Sequence, residues 1–282
     1  MKSGFICPVC GLPLERDGHS YLCPNRHSFD ISSKGYVNLL LSSQMNAKLP
    51  GDNKLMVNAR RSFLEKGYYS HLAETVSHTA VKYFCGGRIL DAGCGEGYYT
   101  KQVVKALENA EKDFSLLAVD ISKAACACTA SSFKGNSRVE TAAASVFRLP
   151  ISDNGIFLLI TMFSPFCGNE YRRVLGKDGI MIMAIPSKMH LFSLKAAIYD
   201  TPYENTVKDF DIEGFSLIEA VECSKNILLD NPTDIQNLFT MTPYYYKTSE
   251  EGHKRVNSLE SLETEADFTV LIYRKSGDSN GS

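Results

Sequence analysis

The stretch Arg88-Ile89-Leu90-Asp91-Ala92-Gly93-Cys94-Gly95-Glu96-Gly97-Tyr98-Tyr99-Thr100 constrains this chain most. A short apolar strand runs into an acid and then into three glycines at alternate positions. A helical apolar period continues through Val103, Val104, Ala106 and Leu107. Strand, glycine turn and helix in that order present a ligand site at the carboxyl end of a strand in an α/β sheet. The residues before this stretch read as a separate device, and those after it as the rest of the sheet.

Downstream, apolar runs alternate with helical patterns. Ser115 to Asp120 reads as a second strand, Ser122 to Phe133 as a helix, and Arg138 to Ala142 as a third strand. Ile156 to Met162 is a fourth. Glu170 to Leu175 is a helix, Lys177-Asp178-Gly179 a turn, and Ile180 to Ile185 a fifth strand. Strands alternating with helices mean a mainly parallel sheet. A helix at Asp234 to Phe239, a surface helix within Ser249 to Asp267, and a last strand at Phe268 to Tyr273 before a disordered tail complete the expectation.

The spacing Gly93-x-Gly95-x-Gly97 is not the G-x-G-x-x-G of a dinucleotide site, and no Lys-Ser/Thr comes after it for a triphosphate loop. Strand-Asp-x-Gly-x-Gly-x-Gly resembles motif I of the class I S-adenosylmethionine methyltransferases. In that family the glycines admit the cofactor to the backbone. The acid after the second strand, here Asp120, holds the ribose, and the residues after the third, here Ala144 and Ser145, flank the adenine. Asp91 lies near the cofactor's amino-acid portion. The expected cofactor set is Asp91, Gly93, Gly95, Gly97, Tyr98, Tyr99, Asp120, Ile121, Ala144 and Ser145.

The amino terminus carries Cys7-Pro8-Val9-Cys10 and then Cys23-Pro24-Asn25-Arg26-His27. Two close ligand pairs joined by a hairpin are what tetrahedral zinc needs, so Cys7, Cys10, Cys23 and His27 are the expected ligands. Four protein ligands leave no open position, which makes the ion structural. Leu14 to Leu22 is the hairpin, with Asp17-Gly18 as its turn and His19 exposed there. The remaining cysteines, Cys85, Cys94, Cys126, Cys128, Cys167 and Cys223, lie among apolar neighbours as reduced buried thiols do. Ser28 to Leu41 reads as extended pieces packing on the ribbon. Pro50-Gly51 marks a break, Asp52 is the expected N-cap, and Leu55, Met56, Ala59, Phe63 and Leu64 share the buried face of a helix ended by Gly67. A further helix spans Tyr69 to Tyr83.

Residues 1–70 carry a net charge of +4 against −2 for the whole chain of 282 residues. A basic module before an acidic domain fits RNA contact, and a solvated helix face fits equally. No apolar run approaches the roughly 20 residues of a membrane span. The cysteine motif stands too close to Met1 for a secretory signal, so the expected location is cytoplasmic.

Several strings together are similar to one family. They are Cys-Pro-x-Cys-x-x-Pro-Leu, Lys-Gly-Tyr-Val-Asn-Leu-Leu, Pro-Gly-Asp, Ala-Arg-Arg-x-Phe-Leu, Asp-x-Gly-Cys-Gly-Glu-Gly-Tyr-Tyr-Thr and Met-Thr-Pro-Tyr. The chain resembles the 23S ribosomal RNA guanine-N1 methyltransferases, whose relatives include a tylosin-resistance methylase. The resemblance implies a Rossmann-like α/β fold with a mostly parallel, seven-stranded sheet and a small amino-terminal zinc ribbon. It divides the chain into a zinc module (1–45) for RNA recognition, a helical connector (46–84) and a methyltransferase domain (85–282). It implies methyl transfer from S-adenosylmethionine to N1 of a guanine in a 23S rRNA hairpin loop, by a homodimer.

The chain departs from many class I enzymes in strand four, where Phe157 is followed by Leu158 instead of an acid. Candidates for lining the target base are Ser164, the backbone at Pro165, and His190. Phe163 or Phe166 could stack on the base, and Thr242 offers a polar contact; packing at a strand end explains the aromatics equally well. Two other readings stay open: a methyltransferase for another RNA or a small molecule with a purely structural ribbon, and an RNA-binding protein without turnover.

Overall fold

A computed structural model describes residues 2–41, 51–207 and 210–276. The chain begins with β1 (Lys2–Ile6), β2 (Pro13–Asp17), β3 (Ser20–Leu22), β4 (Ser28–Asp30) and β5 (Val37–Asn38). Helices α1 (Lys54–Glu65) and α2 (Ser70–Tyr83) lead to β6 (Gly87–Ala92), α3 (Tyr98–Asn109), β7 (Phe114–Asp120), α4 (Lys123–Ser132), β8 (Val139–Ala143) and β9 (Ile156–Met162). Then come α5 (Gly168–Val174), β10 (Leu175–Pro186), α6 (Phe192–Ile198), β11 (Phe215–Cys223), β12 (Asn226–Leu229), α7 (Pro232–Thr240), α8 (Glu250–Asn257), β13 (Leu262–Glu265) and β14 (Phe268–Lys275).

The main sheet has the order β11-β14-β10-β9-β6-β7-β8-β5. All neighbours pair in parallel except β14, which is antiparallel to β10 and β11. Strand order runs outward in opposite directions from β6 and β9, so the switch point lies between them, where such sheets place their ligand crevice. Alternation along the strands divides the core in two. Ile89, Leu116, Ala118, Leu158, Ile160 and Ile182 join one apolar cluster with α2, α3 and α7. Leu90, Leu117, Val119, Leu159 and Met181 face a second.

That second face corrects the reading of the amino terminus as a separate device. Phe5, Leu14 and Tyr21 of the ribbon belong to the same apolar cluster as Leu117, Val119 and α5 residues Tyr171 and Val174. The ribbon covers a sheet face as a helix layer would. A Cβ on Gly4 would lie 2.6 Å from Leu117, which shows how closely β1 approaches β7. Glu140 of β8 accepts hydrogen bonds from Ser3 Oγ (2.7 Å), the Gly4 amide (2.8 Å) and the Tyr21 hydroxyl (2.8 Å).

The segment Ser28 to Leu41 does two things. Its β4 pairs with β3 in the ribbon, whereas β5 adds to β8 as an eighth strand of the main sheet. The expected count was seven, because two residues carry too little period to announce a strand.

Other corrections are local. Asn53, not Asp52, caps α1, its side chain accepting from the Met56 amide. Leu55 is exposed, and Val57 takes its place on the buried face beside Ala59, Phe63 and Leu64. Lys177 to Gly179 lies within β10 as an irregularity in its pairing with β9, with Asp178 at positive φ. Between Ser249 and Asp267, α8 is succeeded by β13, which pairs with β12. Cys85 is exposed, unlike the other scattered thiols. The last strand extends to Lys275; the expected tail from 277 onward, Pro50 of the predicted break and the 45/46 boundary lie outside the described residues. No helix among the described residues is long and apolar enough to cross a membrane.

Candidate active site and metal centre

In the ribbon, β2 and β3 form the predicted hairpin, and His19 at its tip is exposed. The hairpin brings the two ligand pairs together. Cys23 Sγ lies 3.2 Å from His27 Nδ1 and 3.8 Å from Cys10 Sγ, and Cys7 Sγ lies 3.5 Å from His27 Nδ1. The four ligand atoms lie within 4.8 Å of one another. A tetrahedron with zinc about 2.0–2.3 Å from each atom has edges of about 3.3–3.8 Å. Three thiols and one imidazole at this spacing fit a closed, structural zinc site.

The second site is a cavity of about 590 Å³ at the carboxyl ends of β6, β7, β8 and β9. Its floor is the glycine turn. The Gly93 and Cys94 amides both donate to the Val119 carbonyl (2.7 and 3.0 Å), pinning the turn to β7. Gly93 has φ +87°, and a Cβ there would lie 2.5 Å from the Ser164 side chain, so the loops after β6 and β9 meet at the switch point. Gly97, also at positive φ, backs onto Thr129 in the same way. A Cβ on Gly95 would meet nothing nearer than Arg60 Nη1 at 4.0 Å, so this glycine leaves its side of the turn open to the cavity.

Asp120 is held from both sides. Its Oδ2 accepts from the Gly95 amide (3.0 Å) and its Oδ1 from the Ser122 amide (2.8 Å). Burial pushes its pKa up against those two bonds. Asp91 is buried and accepts from Thr100 Oγ1 at 2.6 Å, while its Oδ1 has no partner. Burial pushes its carboxyl up to about 7. Glu96 also has an unpartnered oxygen, and its pKa is likewise raised by burial.

Buried polar groups are nearly always paired, and the exceptions concentrate where something is bound. Of the nine buried side-chain polar atoms without a partner among the described residues, five belong to residues that line this cavity: Asp91 Oδ1, Glu96 Oε1, the Tyr69 and Tyr99 hydroxyls, and His190 Nδ1. Their donor and acceptor mix, beside an open glycine turn, fits a polar ligand that carries a cation.

The structure brings together Asp91, Gly93, Gly95, Tyr99, Asp120, Ile121, Ser145, Ser164, Pro165 and His190. Gly97 stands behind the turn as the residue before α3. Tyr98 turns into the core, and Ala144 is buried in the sheet, its amide donating to the Asp120 carbonyl. Phe163 lines the cavity at φ +56° and half exposed, whereas Phe166 packs edge-on against Tyr171 outside it. His190 packs on Phe268 (4.5 Å between centroids) and Tyr69 (6.0 Å), and burial pushes its pKa down to about 3. Met241, Thr242 and Pro243 form part of the wall.

The lining residues outside the expected set include Tyr69, Glu96 and Arg60. Arg60 counted among the outward charges of the basic module. It instead points inward from α1, paired with Asp52 and donating from Nη2 to the Met241 carbonyl at 3.2 Å. A signal existed: Val57, Arg60 and Leu64 share one helical face. Burial opposes the Arg60 charge, but Asp52, Glu96 and Asp120 outweigh it and hold the guanidinium above its ordinary pKa. Arg61 and Lys66 are also paired, with Glu65 and Asp234, which reduces the unpaired charge of the module.

Comparison with known proteins agrees with this geometry. Residues 5–48 match the RlmA N-terminal zinc-ribbon model, and residues 89–178 match a methyltransferase domain model. The chain is 33% identical over 196 residues to the 23S rRNA (guanine(748)-N(1))-methyltransferase of Streptomyces fradiae, spanning 68% of this chain and 66%, just under two thirds, of that protein. It is 32% identical to a candidate 23S rRNA (guanine-N(1)-)-methyltransferase of Micromonospora griseorubida, covering 67% of each. A candidate of the same description from Bacillus subtilis is 28% identical over 97% of this chain and 98% of its own length. Among solved structures, a methyltransferase candidate from Bacillus halodurans superposes with a TM-score of 0.50 at 14% identity, covering 72% of this chain and 98% of that one, a likeness of fold.

Proposed function

Because this chain belongs to the 23S rRNA (guanine-N(1)-)-methyltransferase family, we propose that it methylates N1 of a guanine in a hairpin loop of 23S rRNA with S-adenosylmethionine as donor. The observation that carries the reading is that five buried polar atoms without partners belong to residues lining the cavity that the open Gly95 face enters, at the switch point of the sheet. When bound, S-adenosylmethionine supplies a methyl group on a positively charged sulfur.

The chain's own residues divide into two sets. Asp120, its carboxylate oriented by the Gly95 and Ser122 amides, is placed to accept from ribose hydroxyls. Asp91 Oδ1 and Glu96 Oε1 offer acceptors to the ammonium end, and Ile121 and Ser145 flank the adenine. On the other side, Ser164, the Pro165 backbone, His190 and Thr242 face the acceptor base, and Phe163 is positioned to stack on it. Catalysis comes chiefly from holding donor and acceptor aligned. His190 is neutral at physiological pH, so its Nδ1 serves as a hydrogen-bond partner and does not retain the N1 proton. A loop guanine reaches such a pocket without opening a duplex.

In this reading residues 1–45 assist RNA binding, the connector (46–84) contributes Asp52, Arg60 and Tyr69 to the cavity, and 85–282 carry the chemistry, in a cytoplasmic homodimer. A second reading has a ribbon that only supports the sheet while the enzyme methylates another RNA or a small molecule. The three hydrogen bonds into Glu140 favour it, because they commit the ribbon to the fold. One experiment separates the two. Purified protein is incubated with labelled S-adenosylmethionine and unmodified 23S rRNA, and the modified nucleotide is mapped. We expect label at N1 of a single loop guanine; label elsewhere, or none, removes the first reading.

A further inference from the structure

The walls of the cavity are electrically one-sided. Asp52, Asp91, Glu96 and Asp120 line it, and among the described residues Arg60 is its sole lysine or arginine. S-adenosylmethionine carries three charged groups: a sulfonium, an α-ammonium and a carboxylate. The acids suit the two cations. A carboxylate brought among four acids is repelled unless a cation stands beside it.

Arg60 reaches the cavity from α1, outside the sheet domain, and overhangs the floor where Gly95 is open. Its five N–H groups are partly engaged: Nη1 donates to Asp52, and Nη2 to the Met241 carbonyl. The remaining donors of the fork are available on a side chain 28% exposed, at the boundary between protein and cavity. Its partners keep it in place: Asp52 is itself tied down, its carbonyl accepting from Ser122 Oγ at 2.7 Å. Asp52, Ser122 and Asp120 therefore link the guanidinium to the residue proposed to hold the ribose.

Resting on the S-adenosylmethionine reading above, we infer that Arg60 holds the carboxylate of the cofactor's amino-acid portion. A roof helix thereby supplies the one charge that the glycine turn and strand-end acids cannot. The same side chain joins the roof to the Met241–Pro243 wall, so cofactor seating and the acceptor side share one anchor.

The test uses the full-length, zinc-loaded protein and two ligands in calorimetry: S-adenosylhomocysteine, and its decarboxylated analogue, which keeps the amine and thioether. Wild type should bind the first about 10- to 100-fold more tightly, the range for a charged hydrogen-bonded pair. Arg60→Met should abolish that preference by weakening S-adenosylhomocysteine alone, and Arg60→Lys should retain part of it. Equal loss for both ligands in Arg60→Met makes the residue a structural brace and overturns the assignment. So does a wild type that binds both ligands equally, a comparison that needs no variant and decides even where Arg60→Met misfolds. A wild type that binds neither ligand removes the cofactor reading itself, and the Arg60 assignment with it.

Discussion

At the scale of single residues, the site is built from groups held against their ordinary preferences. Asp91 is 2% exposed and has one oxygen bonded to Thr100 and one without a partner. Its pKa stands at about 7 against an ordinary 3.8, with burial the main cause. The folded chain therefore holds this proton more tightly than the unfolded chain. Protonation stabilises the fold, completely below pH 3.8, and that contribution is lost as pH rises through about 7. The charged form costs the fold on the order of 2–4 kcal/mol. Asp91→Asn, neutral throughout, should raise the melting temperature at pH 8 by roughly 3–8 °C. It should leave the temperature unchanged near pH 4, while cofactor affinity falls at pH 8. A thermal scan at the two pH values checks this, and no gain at pH 8 would contradict the burial argument. Stability given up at a binding site is a usual pattern, since a group satisfied by its ligand is unsatisfied without it.

At the scale of elements, the unexpected partnership is between the ribbon and β8. Glu140 accepts from a hydroxyl, an amide and a phenol of the ribbon, all within 2.8 Å. Burial, with the Glu140 charge adding to it, drives the Tyr21 hydroxyl well above its ordinary pKa, which keeps it a donor. Glu140→Ala should destabilise the chain by about 2–4 kcal/mol, because three donors lose their acceptor together. Denaturant titration reads this as a lower midpoint with the slope preserved. A change below about 0.5 kcal/mol would mean that apolar contact alone docks the ribbon. Strand β5 acts at the same scale. Two residues pair with Ala142 and Ala143, so the chain leaving the ribbon becomes the edge of the sheet.

At the scale of the whole molecule, zinc and sheet depend on one another. The ribbon is too small to build a core of its own, so metal binding supplies its folding free energy. Yet its Phe5, Leu14 and Tyr21 also cover the sheet face around Leu117 and Val119. Removing zinc should therefore uncover part of the main core. A strong chelator, or Cys7→Ser with Cys23→Ser, should release one equivalent of zinc. It should also lower the unfolding midpoint of the entire chain by more than about 10 °C in a single transition. Two separate transitions in scanning calorimetry, with the upper one unmoved, would show that ribbon and sheet fold independently.

The local signals were those a sequence can hold. Ligand pairs separated by a hairpin gave the zinc site, because four donors must converge and a Gly18 turn brings them round. Alternate glycines after an apolar strand gave the floor of the cavity, because at Gly93 the backbone sits at φ +87° and a Cβ would lie 2.5 Å from Ser164, which only glycine accepts. Most of the alternating strands and helices came from apolar period. The family resemblance was legible for the same reason: its motifs are contiguous strings. What only the tertiary structure decided depends on residues distant in the chain. Arg60 looked like one basic residue among nine in the first seventy, and became a wall of the cavity when α1 folded across Gly95. The unpartnered atoms of Tyr69, Glu96 and His190 became informative through burial, which no spacing records. The ribbon looked independent because its ligands are local, whereas its apolar residues find their partners about a hundred positions or more away on β7 and α5. Chemistry carried by adjacent residues is written along the chain; charge balance and burial are properties of surfaces that meet only on folding.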